Sequence, residues 1–313
     1  MTRPRLLAVG GAHIDRRGRI IGPHVPEASN PGVMCEEVGG GAFNAARMAV
    51  QRGVSASLVS LRGGDAAGEQ VARAVEDAGI EDLSAVFLDR TTASYTAILT
   101  DKGDLITGLA DMALYEHGFA KQMRRGKVRE AAAHADALLC DANLPAEAIG
   151  QLITLARGKP VHAIAVSPAK AERLAGALPA LSCLFMNRRE ATRLSGLPDG
   201  SPSNQAAEVL RGMGLAAGVI TAGAGSALCF RGHDMFEVSP PALDHVGDVT
   251  GAGDALAGAT AAALMRGLAF AEAVREGMAA AKLAVESVHA APEMADEDFR
   301  AALEAAPRAK QLS

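Results

Sequence analysis

The chain is poor in aromatic and sulfur side chains. Its 313 residues include no tryptophan, two tyrosines and four cysteines. The cysteines lie far apart, and none has a partner at the spacing of a zinc site, a redox motif or a disulfide framework: Cys35, Cys140, Cys183 and Cys229. We therefore expect free thiols that pack in the core as small apolar side chains.

Long apolar runs are also missing. Runs such as residues 6–9 are short, whereas a helix needs about 20 apolar residues to cross a bilayer. The basic residues 1–5 are followed by few apolar residues, so the apolar centre of a secretory signal is lacking. The sequence predicts a cytoplasmic protein with no membrane partner.

Several function classes are excluded by what the sequence lacks. The 36 acidic and 31 basic residues give a net charge of −5, and the basic residues are scattered, so no nucleic-acid partner is expected. None of the eight histidines has a partner at metal-ligand spacing. A Gly-x-x-x-x-Gly-Lys-Ser/Thr loop and a Gly-x-Ser-x-Gly elbow are absent, which excludes P-loop kinases and serine hydrolases of the elbow type.

Short β-favouring runs alternate with alanine-rich amphipathic stretches along the whole chain, which predicts an α/β fold with a mostly parallel sheet. The rhythm breaks over residues 93–111, where two β-rich runs, 94–99 and 104–109, flank a glycine-bearing turn typical of a hairpin. We expect one domain over 1–313, with a small β lid formed from about 12–40 and 90–112.

The most informative segment is residues 247–254, GDVTGAGD, which leads into an apolar helix. Small residues let backbone N–H groups converge at the helix N-terminus, where they and the helix dipole favour an anion. Asp254 falls in the first turn, and a carboxylate beside a phosphate suits proton transfer from an attacking hydroxyl. Alternatively, Asp254 is a favourable charge at a helix N-terminus and nothing more.

This segment resembles the C-terminal signature of the ribokinase-like, PfkB-type family of sugar and nucleoside kinases. The resemblance implies a three-layer α/β/α fold, with Asp254 as catalytic base and the amides of Gly251, Ala252 and Gly253 as the anion hole. The family's other signature is similar to residues 39–46, GGGAFNAA. It implies that Gly40, Gly41 and Asn44 bind the acceptor substrate.

Further segments are similar to the family in the expected order, and each has a structural alternative. Asp15 would accept a substrate hydroxyl or merely cap a turn. Asn187 and Glu190 would organise Mg²⁺ and phosphate through water, and the same spacing also forms a helix capping box. The residues implied at ATP are Asn187, Thr221, Gly223, Gly225 and Thr250. Asp248 lies where many relatives bind a monovalent cation, so potassium joins ATP and Mg²⁺ as an implied cofactor.

Strings outside these signatures, such as residues 29–32, are similar to pseudouridine kinases, and the resemblance implies that Asn30 also binds the substrate. They imply transfer of the γ-phosphate of ATP to the 5′-hydroxyl of pseudouridine, and a homodimer that pairs through the lid. Related kinases read Asp-Pro where this chain has Ile164 and Ala165. The alternatives are therefore a ribokinase- or fructokinase-like sugar kinase, or a silent sensor that binds a nucleoside or sugar.

Overall fold

The computed structural model of the protein describes residues 3–287 and 292–312. In chain order the strands are β1 (Arg5–Val9), β2 (His13–Ile20), β3 (Gly32–Gly39), β4 (Ser55–Val59), β5 (Leu61–Gly63), β6 (Glu81–Asp82), β7 (Ala85–Phe87), β8 (Ser94–Leu99), β9 (Leu105–Asp111), β10 (Ala137–Asp141), β11 (Val161–Ile164), β12 (Cys183–Asn187), β13 (Ala217–Ala222), β14 (Gly225–Arg231), β15 (Asp234–Val238) and β16 (Lys310–Gln311). The helices are α1 (Gly41–Gln51), α2 (Ala66–Asp77), α3 (Ala113–Gln122), α4 (Gly126–His134), α5 (Ala146–Ala156), α6 (Pro168–Ala171), α7 (Arg188–Ser195), α8 (Ser203–Gly212), α9 (Ala252–Met265), α10 (Phe270–Glu286) and α11 (Asp296–Ala305), with a 3₁₀ helix over Glu172–Ala180.

The large sheet has the order β16-β15-β14-β13-β12-β11-β10-β1-β4-β6, parallel from β13 to β6 and antiparallel from β13 to β16. Helices cover both faces. In β1, Leu6 and Ala8 pack on the side of α1, α2, α9 and α10, whereas Leu7 and Val9 pack on the side of α3 to α8. Burial on both faces explains why the parallel strands read as apolar runs. The predicted three-layer α/β/α fold is confirmed.

The small sheet has the order β3-β2-β8-β9. The predicted hairpin is present as β8 and β9, and β2 pairs with β8 in parallel and with β3 antiparallel. The sequence assigned residues 12–40 to this β lid but did not locate β2 and β3 within them, because the arginines of β2 and the exposed residues of β3 hide the apolar alternation. Cys35 on β3 is exposed, so the expectation of a buried thiol is wrong there; the other three cysteines are buried.

Helix α9 is buried around most of its circumference, between α1 and α10. The two contacts need glycine, because a Cβ on Gly258 would lie 2.2 Å from the carbonyl oxygen of Ala45, and one on Gly277 would lie 2.2 Å from Oγ1 of Thr260. The alanine-rich pattern of the sequence predicts a helix over about 270–288; α10 covers Phe270–Glu286, and residue 288 lies outside the described residues. None of the helices within residues 3–287 and 292–312 has the length and apolar character of a bilayer crossing.

We expect Gly258→Ala to destabilise the protein. Alanine favours a helix by about 1 kcal/mol over glycine, but the added methyl group would overlap the backbone of α1, and overpacking costs roughly 1–3 kcal/mol or more. The melting temperature should fall by about 2–8 °C in calorimetry. Gly150→Ala in α5 is the matched control, since a Cβ there meets no atom within 4 Å; an equal effect of both substitutions would contradict the close contact.

Candidate active site

The residues singled out in the sequence lie mostly where the parallel strands of the large sheet end. Parallel strands expose their carboxyl ends at one edge, where open α/β sheets bind ligands. The loop after β1, the start of α1, the end of β10 and the start of α9 meet there, at Gly11, Gly41, Asp141 and Asp254. These four segments form the core of the candidate site.

Asp141 holds two of these segments together. It is fully buried at the end of β10, where one carboxylate oxygen, Oδ2, accepts from the N–H of Gly11 at 2.9 Å and of Ala42 at 2.8 Å. Its other oxygen accepts from the N–H of Asn143 at 2.9 Å. Sequence reasoning did not single out Asp141 as a functional residue. An acidic residue that ends an otherwise apolar strand was the available signal.

The glycine turn before α1 leaves no room for side chains. Gly40 has a φ of 112°, and a Cβ there would lie 2.4 Å from the carbonyl oxygen of Gly11. A Cβ on Gly41 would lie 3.0 Å from Oδ2 of Asp141 and 3.4 Å from Oδ1 of Asp254. The turn therefore brings the backbone of α1 against both carboxylates.

Asp15 reaches the same turn from the small sheet. Its carboxylate oxygen Oδ2 lies 2.0 Å from where a Cβ on Gly39 would be, so it packs directly on that glycine. His13 lies beside it, with Nε2 3.3 Å from Oδ1 of Asp15, and is itself buried against Tyr115. Asp15 is thus the contribution of the small sheet to the site.

Asp254 is the third residue of α9, and Asn44 of α1 is its partner. The amide nitrogen Nδ2 of Asn44 donates to Oδ2 of Asp254 at 3.0 Å. The amide oxygen of Asn44 is buried and has no hydrogen-bond partner among the described residues. Because an unmade hydrogen bond in a buried group costs roughly 1–3 kcal/mol, this oxygen is suited to a ligand donor. The structure therefore brings together the two residues that carry the family's separate signatures.

The surroundings of Asp254 change its acidity. The pKa of Asp254 is raised to about 7: burial raises it most and the charges of Asp141 and Asp15 add to the rise, against the hydrogen bond from Asn44 and the charge of His13, which lower it. A carboxyl group with a pKa near the working pH can take up a proton and release it again. The side chain is half-buried, so its free oxygen Oδ1 remains reachable.

The start of α9 has the shape of an anion site. Gly251 is the residue before the helix and has a left-handed φ of 78°. The N–H groups of the first helical turn, including those of Ala252 and Gly253, have no intrahelical acceptor, although that of Ala252 approaches the carbonyl of Val249 at 3.4 Å. A Cβ on Gly253 would meet no atom within 4 Å, and the residue is exposed. A phosphate has room to approach these donors.

The residues implied at ATP lie at the ends of neighbouring strands. Asn187 ends β12 and pairs in register with Thr221 on β13. Gly223, with a φ of 62°, and Gly225 form the turn into β14. Thr250 is exposed in the loop ahead of α9. Because α9 packs on β11 and β12, these strand ends lie on the same part of the sheet as α9.

Asn187 and Glu190 form the capping box that the sequence left open as an alternative. The Glu190 oxygens accept from the backbone N–H of Asn187 at 2.7 Å and from its side-chain amide at 2.8 Å, and the Asn187 oxygen accepts from the N–H of Glu190 at 3.0 Å. Burial raises the pKa of Glu190, against these hydrogen bonds. Each carboxylate oxygen of Glu190 keeps a second lone pair. Asn187 and Glu190 therefore also fit a hard cation that is held mainly by water and phosphate.

Two implied positions differ from expectation. The structure does not bring Asn30 to the site: its side chain bonds to Val25 and Ala28 and closes the turn at the far end of β2 and β3. Asp248 does not fit a bound potassium ion, because its carboxylate is paired with the guanidinium of Arg17 and accepts from the N–H of Thr250 at 2.9 Å. Within the described chain, no group of three or more histidine, cysteine or acidic side chains is placed to hold a metal.

A polar pair that the sequence did not reveal lies beside Gly11. Nζ of Lys170 donates to Oδ1 of Asn143 at 2.5 Å, and burial lowers the pKa of Lys170. Because an ammonium only donates, it fixes the amide with its nitrogen, Nδ2, toward Gly11, where a Cβ would lie 2.8 Å away. Asn143 therefore presents hydrogen-bond donors beside the glycine turn.

The position of the missing Asp-Pro pair is apolar. Ile164 and Ala165 are buried at the end of β11. Ile164 pairs in register with Asp141, so the neighbouring strand supplies a carboxylate at this edge. Val166 follows with a φ of 67°, and the N–H of Ser167 bonds back to the carbonyl of Ala165 at 2.8 Å. The chain turns here into α6, which carries Lys170.

The chain is similar to known proteins over nearly its whole length. Residues 5–296 match the pfkB family of carbohydrate kinases. A carbohydrate kinase from Agrobacterium tumefaciens is 44% identical, with a TM-score of 0.86 over 99% of this chain and all of that chain. A pseudouridine kinase of Escherichia coli strain K12 is 26% identical over 283 residues, which are 90% of each protein.

A ribokinase of Arabidopsis thaliana, solved with ribose and ATP, has a TM-score of 0.85 at 23% identity and covers 97% of this chain and 99% of its own. At that identity it shows a likeness of fold. The resemblance seen in the sequence is confirmed by the match over residues 5–296. The chain therefore belongs to the pfkB family of carbohydrate kinases, which transfer phosphate from ATP to a hydroxyl group.

Proposed function

We propose that the protein transfers the γ-phosphate of ATP to the 5′-hydroxyl of pseudouridine or a related nucleoside. One observation carries the proposal: Asp254 accepts a hydrogen bond from Asn44 at the glycine turn. One carboxylate oxygen of Asp254 and the buried amide oxygen of Asn44 are left for a ligand. This pair can hold a hydroxyl group and accept its proton. It lies on the first turn of α9, where the phosphate would be bound.

The proposed reaction is a direct transfer. Oδ1 of Asp254 takes the hydroxyl proton while the oxygen attacks the γ-phosphorus in line, and the bond from that phosphorus to the bridging oxygen of ADP breaks. The amides of Gly251, Ala252 and Gly253 hold the charge that develops on the transferred group. The protonated Asp254 then loses its proton to water, so no covalent intermediate with the protein is required.

The acceptor would lie between the two sheets. Asp15 and Asn143 offer an acceptor and donors on either side of Gly11 and the glycine turn, which suits a sugar with several hydroxyl groups. The small sheet would act as a lid that excludes water from the phosphate. Similarity to the Escherichia coli pseudouridine kinase supports the nucleoside, and a simple sugar is the alternative.

ATP would lie along the ends of β12 and β13, against the residues assigned to it: Asn187, Thr221, Gly223, Gly225 and Thr250. Glu190 would hold Mg²⁺ through water. When bound, Mg²⁺ supplies positive charge that neutralises the β- and γ-phosphates. Burial of Glu190 beside Asn187 keeps its carboxylate in one orientation for that role.

We also propose a homodimer that forms through the small sheet. This sheet carries exposed large apolar residues, among them Met34 and Leu109, which lie on the same face by register with β2 and β8. Apolar surface of this kind marks an interaction site. In sedimentation velocity the protein should be dimeric, and the double substitution Met34→Lys and Leu109→Lys should make it monomeric. A wild-type monomer at micromolar concentration would contradict this assembly.

The acceptor is tested by the release of ADP with pseudouridine, uridine, adenosine, ribose and fructose at equal concentrations. We expect kcat/KM to be at least about tenfold higher for pseudouridine than for the others, because loss of a matched polar contact costs about 1.4 kcal/mol or more. Preference for ribose or fructose would assign a sugar kinase. A ligand-induced rise in melting temperature without ADP release would assign the silent sensor, the alternative that the apolar Ile164 and Ala165 suggest.

Asp254→Asn should lower kcat by roughly 10²–10⁴, the usual contribution of a positioned base, with little change in acceptor affinity. In the wild type the base is protonated below the pKa of Asp254, about 7. The value of kcat/KM should therefore fall with decreasing pH below about 7 and level off above it. This dependence should disappear in the variant.

Asp234→Asn is the matched control for that substitution, since Asp234 is exposed on β15, at the antiparallel end of the sheet. Its kcat and its pH profile should equal those of the wild type. Isothermal titration with the acceptor separates binding from turnover. Near-normal turnover of Asp254→Asn would place the base elsewhere.

A further inference from the structure

Arg17 joins the small sheet to the loop ahead of α9. It lies in the middle of β2, where Nη2 donates to Oε2 of Glu37 at 2.6 Å and Nη1 pairs with the carboxylate of Asp248. The side chains of all three residues are 16–21% exposed. Arg16, the preceding residue, points to the other face of the sheet and pairs with Glu36. The guanidinium of Arg17 is therefore directed at the loop and partly shielded from water.

The loop that Arg17 contacts leads directly into the anion site. The N–H groups of Gly247 and Asp248 donate to the carbonyl of Val285 at 2.8 and 3.1 Å, which docks the loop on the end of α10. The N–H of Thr250 donates to the second oxygen of Asp248 at 2.9 Å. Gly251 follows at once. The carboxylate of Asp248 thus sets the path of the backbone that ends in the phosphate-binding amides.

A second protein cation holds the other end of this loop. Nζ of Lys282 donates to Oδ2 of Asp244 at 2.9 Å and pairs with Glu286, and the side chain of Lys282 is 9% exposed. The N–H of Asp244 donates to the same Glu286 carboxylate at 2.7 Å. Fixed positive charges therefore stand at both ends of residues 244–248.

A half-buried carboxylate needs a positive partner, because an unpaired charge is costly to remove from water. A monovalent cation at Asp248 could supply that charge. Here the guanidinium of Arg17 lies against that carboxylate and supplies the charge. Arginine stays charged at all relevant pH values, and its planar guanidinium donates hydrogen bonds in a fixed geometry. It can therefore also fix the orientation of the carboxylate.

We propose that Arg17 takes the place of a monovalent cation in shaping the loop ahead of the anion site, so that phosphoryl transfer proceeds without potassium. The inference rests on the proposed kinase function. Since Arg17 belongs to the small sheet and Asp248 to the loop ahead of α9, the charge reaches the loop only when the small sheet lies against that loop. Arg17 is a positioning residue, which acts on the phosphate through the backbone at Gly251.

The first test compares initial rates in choline chloride and in potassium chloride at equal ionic strength, with saturating Mg²⁺, ATP and acceptor. The wild type should differ by less than about twofold between the salts. Arg17→Gln should lose about tenfold or more of kcat in choline, equivalent to about 1.4 kcal/mol, and potassium should restore part of it. Arg17→Lys, which keeps the charge, should remain independent of potassium.

Arg62→Gln is the matched control, because Arg62 forms an ion pair of similar exposure with Asp82, away from the site. It should have the wild-type rate in both salts. A loss of kcat in Arg17→Gln that potassium does not restore, or the same loss in Arg62→Gln, would reduce Arg17 to a structural role and overturn the proposal.

The second readout needs no acceptor. The melting temperature of the wild type should be the same in choline and in potassium chloride, whereas Arg17→Gln should gain stability in potassium alone. A wild type that potassium stabilises, or activates about tenfold, would overturn the proposal even if Arg17→Gln did not fold. If the wild type binds ATP but turns over no acceptor in either salt, the proposed function fails, and the melting temperatures still decide the role of Arg17.

Discussion

The site depends on the backbone contact between α1 and α9. Only a glycine at position 258 lets α9 approach the carbonyl of Ala45, and that approach places Asn44 within 3.0 Å of Asp254. A wider spacing by one methyl group would separate the amide from the carboxylate. Interiors are packed too densely to absorb such a change without shifting neighbours. The chemistry of the molecule is thus set by how closely two helices can lie.

Three carboxylates, those of Asp15, Asp141 and Asp254, lie close to the glycine turn. Their surroundings differ, and so do the roles that they can have. Asp141 is buried and satisfied by three backbone N–H groups, so it serves as a fixed anchor between loops. Asp254 has one amide partner and a raised pKa of about 7, which suits proton exchange. Asp15 enters from the other sheet. Environments that separate the acidities of neighbouring acids are a common basis of acid–base chemistry.

The parts of the structure that local sequence determines were predictable. Buried strands and alanine-rich helices have recognisable apolar patterns. The segments GDVTGAGD and GGGAFNAA mark the starts of two helices by their glycines and carry the polar residues of the site. Contacts between distant segments left no local signal, as the 210 residues between Asn44 and Asp254 illustrate. The strand β2 was missed because Arg16 and Arg17 are held by ion pairs that only the sheet creates. The placement of Asn30 also had no local signal, because its side chain bonds within the turn between β2 and β3.

The three glycines at the start of α1, Gly39 to Gly41, are each closed to side chains by a different neighbour. The carboxylate of Asp15 covers Gly39, the carbonyl of Gly11 covers Gly40, and the carboxylate of Asp141 covers Gly41. A mutation that made room at one position would leave the other two blocked. Replacing the triplet would therefore require simultaneous changes in the loop after β1, the end of β10 and the small sheet. Gly253, by contrast, has open space around it, so a single substitution there meets no neighbouring atom.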